Sequence, residues 1–450
     1  MIGFEKQLGG NEMLKRLLTT VIALSMAVGL SACTKPQEGN KPDANTTTGT
    51  TTDGSSTPGD TSGAETGGYE YTKMDPGTYH IGVVTGTVSQ AEDELRGAEA
   101  LITKYKSVDD GGMIKHVTYP DNFDQEQEAT IQSITQLAND PKMKAIIVNQ
   151  AVPGTVAAFK KIRETRPDIL LLANSSQEDP KMIDAAADMV IDPDNINRGY
   201  LIPWVAKELG AKAFVHISFP RHMSIELLSQ RRNIMKEACA ELGLDFYDET
   251  APDPMSDVKV AGAKKYIQDQ MPAWVEKYGK DTAFFATNDA QTEPLLNRVA
   301  SLGAIFVEPD LPSPIMGYPA ALNISLTEEA GDWPAILAKV EETVKQTAGS
   351  GRMGTWAYSF GFTGSEGLGE FAKGVLEGTY KHDSKDDLIE AFKSVTPGAE
   401  WNGSTYVDNQ TGEEKKNHIM VYQDTYVFGR GYMGATEVEV PEKFKNIKND

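Results

Sequence analysis

From His80 to Val307 the chain repeats one unit: a short apolar run, then a stretch with apolar residues at helical spacing. Strands are expected at His80–Val84, Met113–Tyr119, Ala145–Asn149, Ile169–Ala173 and Met189–Ile191. Four more follow at Ala213–Ser218, Leu244–Tyr247, Ala283–Thr287 and Ala304–Val307. Helices fill the intervals. The first carries Ala91, Leu95, Ala98, Ile102 and Tyr105 on one face, and Ser89 with Glu92 forms a capping box at its start. Strict alternation of this kind builds parallel sheets covered by helices on both faces. So many strands exceed one lobe, and about 375 residues remain to fold beyond the N-terminal region, more than one core holds. The expectation is an α/β fold of two Rossmann-like lobes with a hinge and a cleft between them, the chain changing sheets near Asp194–Tyr200. Residues 76–196 with part of 320–400 are assigned to the first lobe, and 197–320 with part of 400–450 to the second. The C-terminal third reads as a helix near Ala335–Gln346, an aromatic strand Trp356–Phe362, a helix after Gly364, and antiparallel strands at Thr405–Asp408, His418–Tyr422 and Tyr426–Phe428.

Before this region the pattern is different. Lys15 and Arg16 precede an apolar run, Leu17–Leu30, which ends at Ser31-Ala32-Cys33. A basic start, an apolar core of about 14 residues and small residues before a cut make a secretory signal peptide over residues 1–32. The run falls short of the roughly 20 apolar residues a spanning helix needs. Leu30-Ser31-Ala32-Cys33 resembles the lipobox of bacterial lipoproteins, which implies that Cys33 is lipidated and becomes the mature N-terminus. Residues Met1–Glu12 do not fit a signal peptide, so translation is expected to begin at Met13. From Thr34 to Gly68 the only apolar side chains besides proline are Ala44 and Ala64. Such a segment cannot bury enough surface to offset its ordering entropy, so residues 33–75 read as a disordered tether. A flexible tether of about 35 residues spans roughly 30–35 Å. The expected location is outside the cytoplasm, on the membrane through a lipid anchor.

The formal net charge of −22 excludes a nucleic-acid partner, which needs basic patches. It would also repel anionic lipid, leaving the acyl chain to hold the protein to its membrane. Of the two cysteines, lipid would consume Cys33, so no internal disulfide or cysteine-rich metal site is expected. Cys239 shares the apolar side of a helix with Leu228, Met235 and Leu242 and reads as a buried, inert thiol. Neither a cofactor nor a metal is expected, and the protein should be a monomer.

Each strand ends in residues that can hydrogen-bond. Val84 is followed by Thr85, Gly86 and Thr87, Val148 by Asn149 and Gln150, and Ala173 by Asn174, Ser175 and Ser176. Ile217 is followed by Ser218, Phe219, Arg221 and His222, and Ala286 by Thr287, Asn288 and Asp289. In open parallel sheets ligands bind beyond the carboxyl ends of the strands. Neutral amides and hydroxyls suit a small polyhydroxylated or amide-bearing solute, although the same residues also serve as turns and N-caps. The candidate ligand-binding residues are Thr85, Thr87, Ser89, Asn149, Gln150, Asn174, Ser175, Ser218, Phe219, Arg221, Asn288 and Asp289. The alternating Trp356, Tyr358, Phe360 and Phe362 are either a stacking surface or core packing, and core packing is the simpler reading.

Phe284-Phe285-Ala286-Thr287-Asn288-Asp289-Ala290 resembles the strand-then-Asn-Asp motif of type I periplasmic binding proteins, the ribose- and galactose-binding class. The resemblance implies that Asn288 and Asp289 bind ligand hydroxyls. It also implies that Thr85–Gln90 forms the first ligand loop and that Arg221 contacts ligand. The chain as a whole resembles a family of Gram-positive lipoproteins of unknown function with this fold. It is longer than a typical sugar binder, and Met353–Gly369 has no counterpart there.

Enzyme motifs fail. Gly429-Arg430-Gly431-Tyr432-Met433-Gly434 has GxGxxG spacing, but no helix follows it and it reads as a turn. Thr363-Gly364-Ser365-Glu366-Gly367 misses GxSxG by its first glycine. The expected function is a lipid-anchored solute-binding protein that presents a small polar ligand to an ABC permease. A surface sensor of the same fold is the alternative, and an extracellular enzyme a more distant one.

Overall fold

Strands buried on both faces read as near-continuous apolar runs, and the computed structural model, which describes residues 71–447, has two such sheets. The strands of the first half are β1 (His80–Thr85), β2 (Ile114–Thr118), β3 (Met143–Asn149), β4 (Leu170–Asn174), β5 (Met189–Pro193), β6 (Ala213–Ser218), β7 (Asp245–Thr250) and β8 (Thr282–Ala286). The second half adds β9 (Gly354–Trp356), β10 (Trp401–Val407), β11 (Glu414–Gln423), β12 (Thr425–Val427) and β13 (Gly431–Tyr432). The first sheet has seven strands in the order β10-β11-β5-β4-β3-β1-β2. All pairings in it are parallel except β10 with β11. Alternate residues supply opposite faces. Ile81, Val83, Ala145 and Ile147 enter one core, and Val84, Ile146 and Val148 the other.

The second lobe repeats the scheme. β7-β6-β8 form a parallel sheet, and β13-β12-β9 an antiparallel one. Single bridges, Ala283 to Ile305 and Phe306 to Met353, connect β8 to the strand β9 lies in. The expected strand Ala304–Val307 is therefore only a pair of isolated bridges. It is cut short because Glu308 turns inward to the Arg198 guanidinium and Pro309 has no N–H to donate to a ladder. Here too residues alternate between two cores, with Val215, Ile217 and Phe284 on one side and Phe214, Ala283 and Phe285 on the other. Cys239 lies wholly buried in the second of these cores, where burial pushes its thiol up to about 12.

One expectation needs correction. The run Trp356–Phe362 is not a strand. β9 ends at Trp356, and Ser359 caps the helix Phe360–Leu376, its hydroxyl accepting from the Phe362 N–H at 3.4 Å. All four aromatics are buried, so core packing is the outcome. The helix is rich in glycine because its neighbours lie too close for side chains. A Cβ on Gly361 would sit 2.8 Å from the Glu94 carboxyl carbon, and one on Gly97 would sit 2.6 Å from the Phe362 carbonyl. The segment 400–450, assigned in part to lobe 2, divides between the two sheets. β10 and β11 extend the first sheet, where β11 pairs with β5, and only from β12 onward does the chain join the second.

The chain passes between sheets at three places: from β5 into the helix Asn195–Glu208, from β9 into Phe360–Leu376, and from β11 into β12. Gln423 ties the last two together, its Oε1 accepting from the N–H groups of Ala357 at 2.7 Å and Tyr358 at 3.1 Å. At the first, Asp194 caps its helix through the Asn197 N–H at 2.8 Å and accepts from the Ser404 hydroxyl at 2.7 Å. The GxGxxG stretch is a turn, with Gly429, Gly431 and Gly434 all at positive φ.

Candidate functional site

Parallel strands present their carboxyl ends to the same side of a sheet, so the residues just past them share a rim. At those rims a cavity of about 500 Å³ is lined from both sheets and from one of the crossings. Glu92, Asp93 and Glu94 come from the start of the helix Val88–Tyr105, and Gln150 and Ser175 follow β3 and β4. Asp289 opens the helix Asp289–Leu302. Leu311 to Met316 arrive from the segment after the second sheet, and Ser359 to Gly361 from the second crossing. Gln150 and Ser175 hold left-handed backbone, at φ 54° and 51°. For non-glycine residues this costs on the order of 1–3 kcal/mol and recurs at binding sites.

Three carboxylates define the chemistry. Asp93 is bonded by the Ser359 and Ser313 hydroxyls, and burial pushes it up to about 7. Burial also raises Glu94, whose Oε1 accepts from the Gln150 amide at 3.1 Å. Asp289 takes the Leu311 backbone N–H. It is pushed up to about 7 by burial and then by the neighbouring negative charges of Asp310, Asp93 and Glu94. Its Oδ1 is buried without a hydrogen-bond partner. The cleft is therefore not the neutral amide-and-hydroxyl site that the strand ends suggest.

Of the twelve candidates, Gln150, Ser175 and Asp289 line this cavity. Thr85, Asn149 and Asn174 lie one step inside it, fully buried, and their polar groups are spent internally. Thr85 bonds His116 at 2.9 Å. Asn149 donates to the Val84 carbonyl and to Ser365, and Asn174 donates to Asn149 at 2.9 Å. Thr87 is turned to Asp121 on the exposed rim. Asn288 caps its helix, accepting from the Ala290 N–H at 3.0 Å. Ser218 bonds Thr287 at 2.7 Å, and Phe219 is buried against His222. Ser218 and Phe219 also line a separate cavity of about 460 Å³ beside β7, with His216, Arg232 and Asp248. Arg221 forms a two-pronged pair with Asp253 at 2.7 and 2.9 Å instead of facing the cleft. The Ser89 side chain and Cys33 lie outside the described residues. Sequence reasoning missed Asp93, Glu94, Ser359 and the 311–316 segment. An acidic pair placed directly after the first strand-helix turn was the available signal.

Among the described residues no group of three His, Cys, Asp or Glu side chains is close enough to hold a metal ion, and no helix is long and apolar enough to cross a membrane.

A family model described as a protein of unknown function (DUF3798) matches residues 79–354, and a second family model matches 365–447. Two uncharacterised proteins of Treponema pallidum (strain Nichols) are similar. One is 40% identical over 217 residues, covering 48% of this chain and 98% of that protein. The other is 44% identical over 178 residues, covering 39% and 80%. Among solved structures, a protein named as a transcriptional regulator from Clostridium difficile 630 superposes with a TM-score of 0.70 at 23% identity, covering 79% of this chain and all of that one. An ABC transporter solute-binding protein from Actinobacillus succinogenes 130z with bound D-allose gives 0.45 at 16% identity, covering 67% and 93%.

Proposed function

This chain belongs to the DUF3798 family of proteins of unknown function, and we propose that it is a solute-binding protein that closes its two lobes on a small polar molecule. The observation that carries the reading is the cavity at the facing strand ends, built from both sheets and bordered by the crossing at Ser359–Gly361. A cavity of this size suits a small solute, and such sites lie at topological switch points. Closure would be a hinge motion at the three crossings. In this reading the signal Leu30-Ser31-Ala32-Cys33 anchors the protein outside the cell through lipid on Cys33, and the captured solute passes to an ABC permease.

Thermal melting of the purified protein against a panel of sugars, nucleosides, amino acids and amines tests the binding. At least one class should raise the melting temperature by several degrees, as expected when a ligand binds only the folded state, and a panel without effect removes the reading. For the anchor, radiolabelled palmitate should be incorporated in membranes and lost in Cys33→Ala. An unlabelled wild-type chain would reject that part alone.

A further inference from the structure

We propose that the solute this cleft takes is a small organic cation, with at least one ammonium group held between Asp93 and Glu94 on one rim and Asp289 on the other. The inference rests on the solute-binding reading and specifies its ligand.

The first argument is the charge balance of the walls. Four acidic residues line the cavity, Glu92, Asp93, Glu94 and Asp289, and no Lys, Arg or His does. Glu92 is paired with Arg96 at 3.1 Å, which leaves the other three to carry the argument. The nearby arginines are already committed. Arg231 pairs with Asp310 and donates to Asn195 at 2.6 Å, and Arg198 is held by Glu308. Arg221 is held by Asp253. Buried carboxylates are normally paired or hydrogen-bonded, because an isolated buried charge is costly. Here the partners supplied by the protein are neutral: serine hydroxyls on Asp93, an amide on Glu94 and one backbone N–H on Asp289. The Oδ1 atom of Asp289 is buried in the wall with no donor at all. A complete site would bring that donor with the ligand.

The second argument is size and shape. No three of these groups converge closely enough to bind a metal ion, so the cation is larger than one atom. A cavity of about 500 Å³ accommodates a small organic molecule. The lining also has an apolar part, formed by Leu311, Pro312, Ile315, Met316 and Phe360. That division fits a ligand with a carbon skeleton and a charged amine, such as a polyamine or an amino sugar. The strongly acidic chain also raises the local concentration of cations.

The pH behaviour follows from the same geometry. Asp93 and Glu94 face Asp289 across the cleft, with Glu92 beside them. Asp310, held by Arg231 from the helix Glu226–Leu242, lies behind Asp289. Asp93 and Asp289 sit near 7 in the empty site. An incoming ammonium favours their charged forms, so binding at pH 7 should release protons.

Isothermal titration of the purified full chain with putrescine, spermidine and glucosamine, with glucose and ribose as neutral counterparts, decides the matter. At least one amine should bind at least tenfold tighter than the neutral sugars. Its binding enthalpy should differ between buffers of different ionisation enthalpy by the amount expected for proton release, and its affinity should fall at least tenfold from pH 7.5 to pH 5.5. Asp289→Asn and Asp93→Asn should each weaken it at least tenfold, while the empty variants melt no lower than wild type, which shows that they fold. Sugars binding as tightly as amines, or an amine bound equally well by both variants, would overturn the inference and leave the solute-binding reading standing. Binding of sugars alone has the same consequence, whereas silence from amines and sugars together with the wider panel overturns both.

Discussion

Glu308→Ala is expected to cost on the order of 3–5 kcal/mol of folding free energy, the range seen when one partner of a buried ion pair is removed. Glu308 and Arg198 are each only 2% exposed, and Arg198 Nε meets Glu308 Oε1 at 2.7 Å. The other carboxylate oxygen accepts from Trp356 Nε1 at 3.0 Å and from the Thr425 hydroxyl at 3.1 Å. Arg198 opens the first passage between the lobes, Trp356 leads into the second and Thr425 follows the third. One carboxylate therefore fastens all three strands of the hinge. Without it, Arg198 would keep its bonds to the carbonyls of Pro309 and Asp310 and its position 5.3 Å from the Trp356 ring. Its charge would be uncompensated, and its Nη1 already has no partner. Urea unfolding measures the loss. Arg198→Met combined with Glu308→Leu should cost much less than Glu308→Ala alone, since replacing a whole buried pair with apolar groups of like volume is nearly neutral. A single-variant loss below about 1 kcal/mol would mean that the pair does not hold the hinge.

How legible this arrangement is depends on the kind of force that produces each part. Strands covered on both faces must be apolar throughout, so Ala145–Asn149 and Ala213–Ser218 announce themselves, and the doubly wound sheets follow from their order. The helix Phe360–Leu376 does not. Five of its residues are glycines, which disfavour helices by about 1 kcal/mol each. It forms because it is buried against the helix Val88–Tyr105 with no room for side chains, which is tertiary information. The alternating aromatics before it suggested a strand for the same reason: all are buried, but by different partners. At the site, strand ends pointed to the right rim, and of the paired candidates after β3 and β4 the second of each lines the cavity. Asn149 and Asn174 close the last rungs of β3 and β4, while the next residues, Gln150 and Ser175, turn into left-handed backbone and reach the cavity. Asp93 and Glu94 were hidden because acidic residues early in a helix ordinarily complement its dipole from the surface. Only the close approach of the second helix shows that they face inward.

Raising the pH from 7 to 9.5 should cost the wild-type protein roughly 2.5 kcal/mol through a single histidine. His418 lies on β11, 1% exposed, with Nδ1 at 2.9 Å from Asp184 and Nε2 at 2.9 Å from Asp192 on β5. Burial alone would lower its pKa, but hydrogen bonds and charge from the two aspartates overcome that and raise it to about 9. The folded state therefore binds this proton more tightly than the unfolded chain, where histidine titrates near 6.5. The stabilisation is fully present below pH 6.5 and is lost as pH rises through 9. Other shifted groups act elsewhere. The raised Asp93 and Asp289 also make stability fall with pH, but between about 4 and 7. The lowered His116, His216 and His222 work in the opposite direction and below 6.5, where burial resists their charging. Cys239 and the buried tyrosines keep their protons in the fold, while the unfolded chain begins to lose them from about pH 8.5 upward. They add a further loss at the top of the window that wild type and a His418 variant share. The difference between wild type and a His418 variant from pH 7 to 9.5 thus isolates the seam between β5 and β11, which the imidazolium holds by bridging two carboxylates. Once neutral, it leaves both aspartates without a counter-charge, and the Oδ2 of Asp184 already has no partner. Urea unfolding at the two pH values should show a loss in wild type larger by roughly 2.5 kcal/mol than in His418→Gln, which starts less stable at pH 7. Equal losses in wild type and variant between pH 7 and 9.5 would mean that the strand pairing holds without the charge.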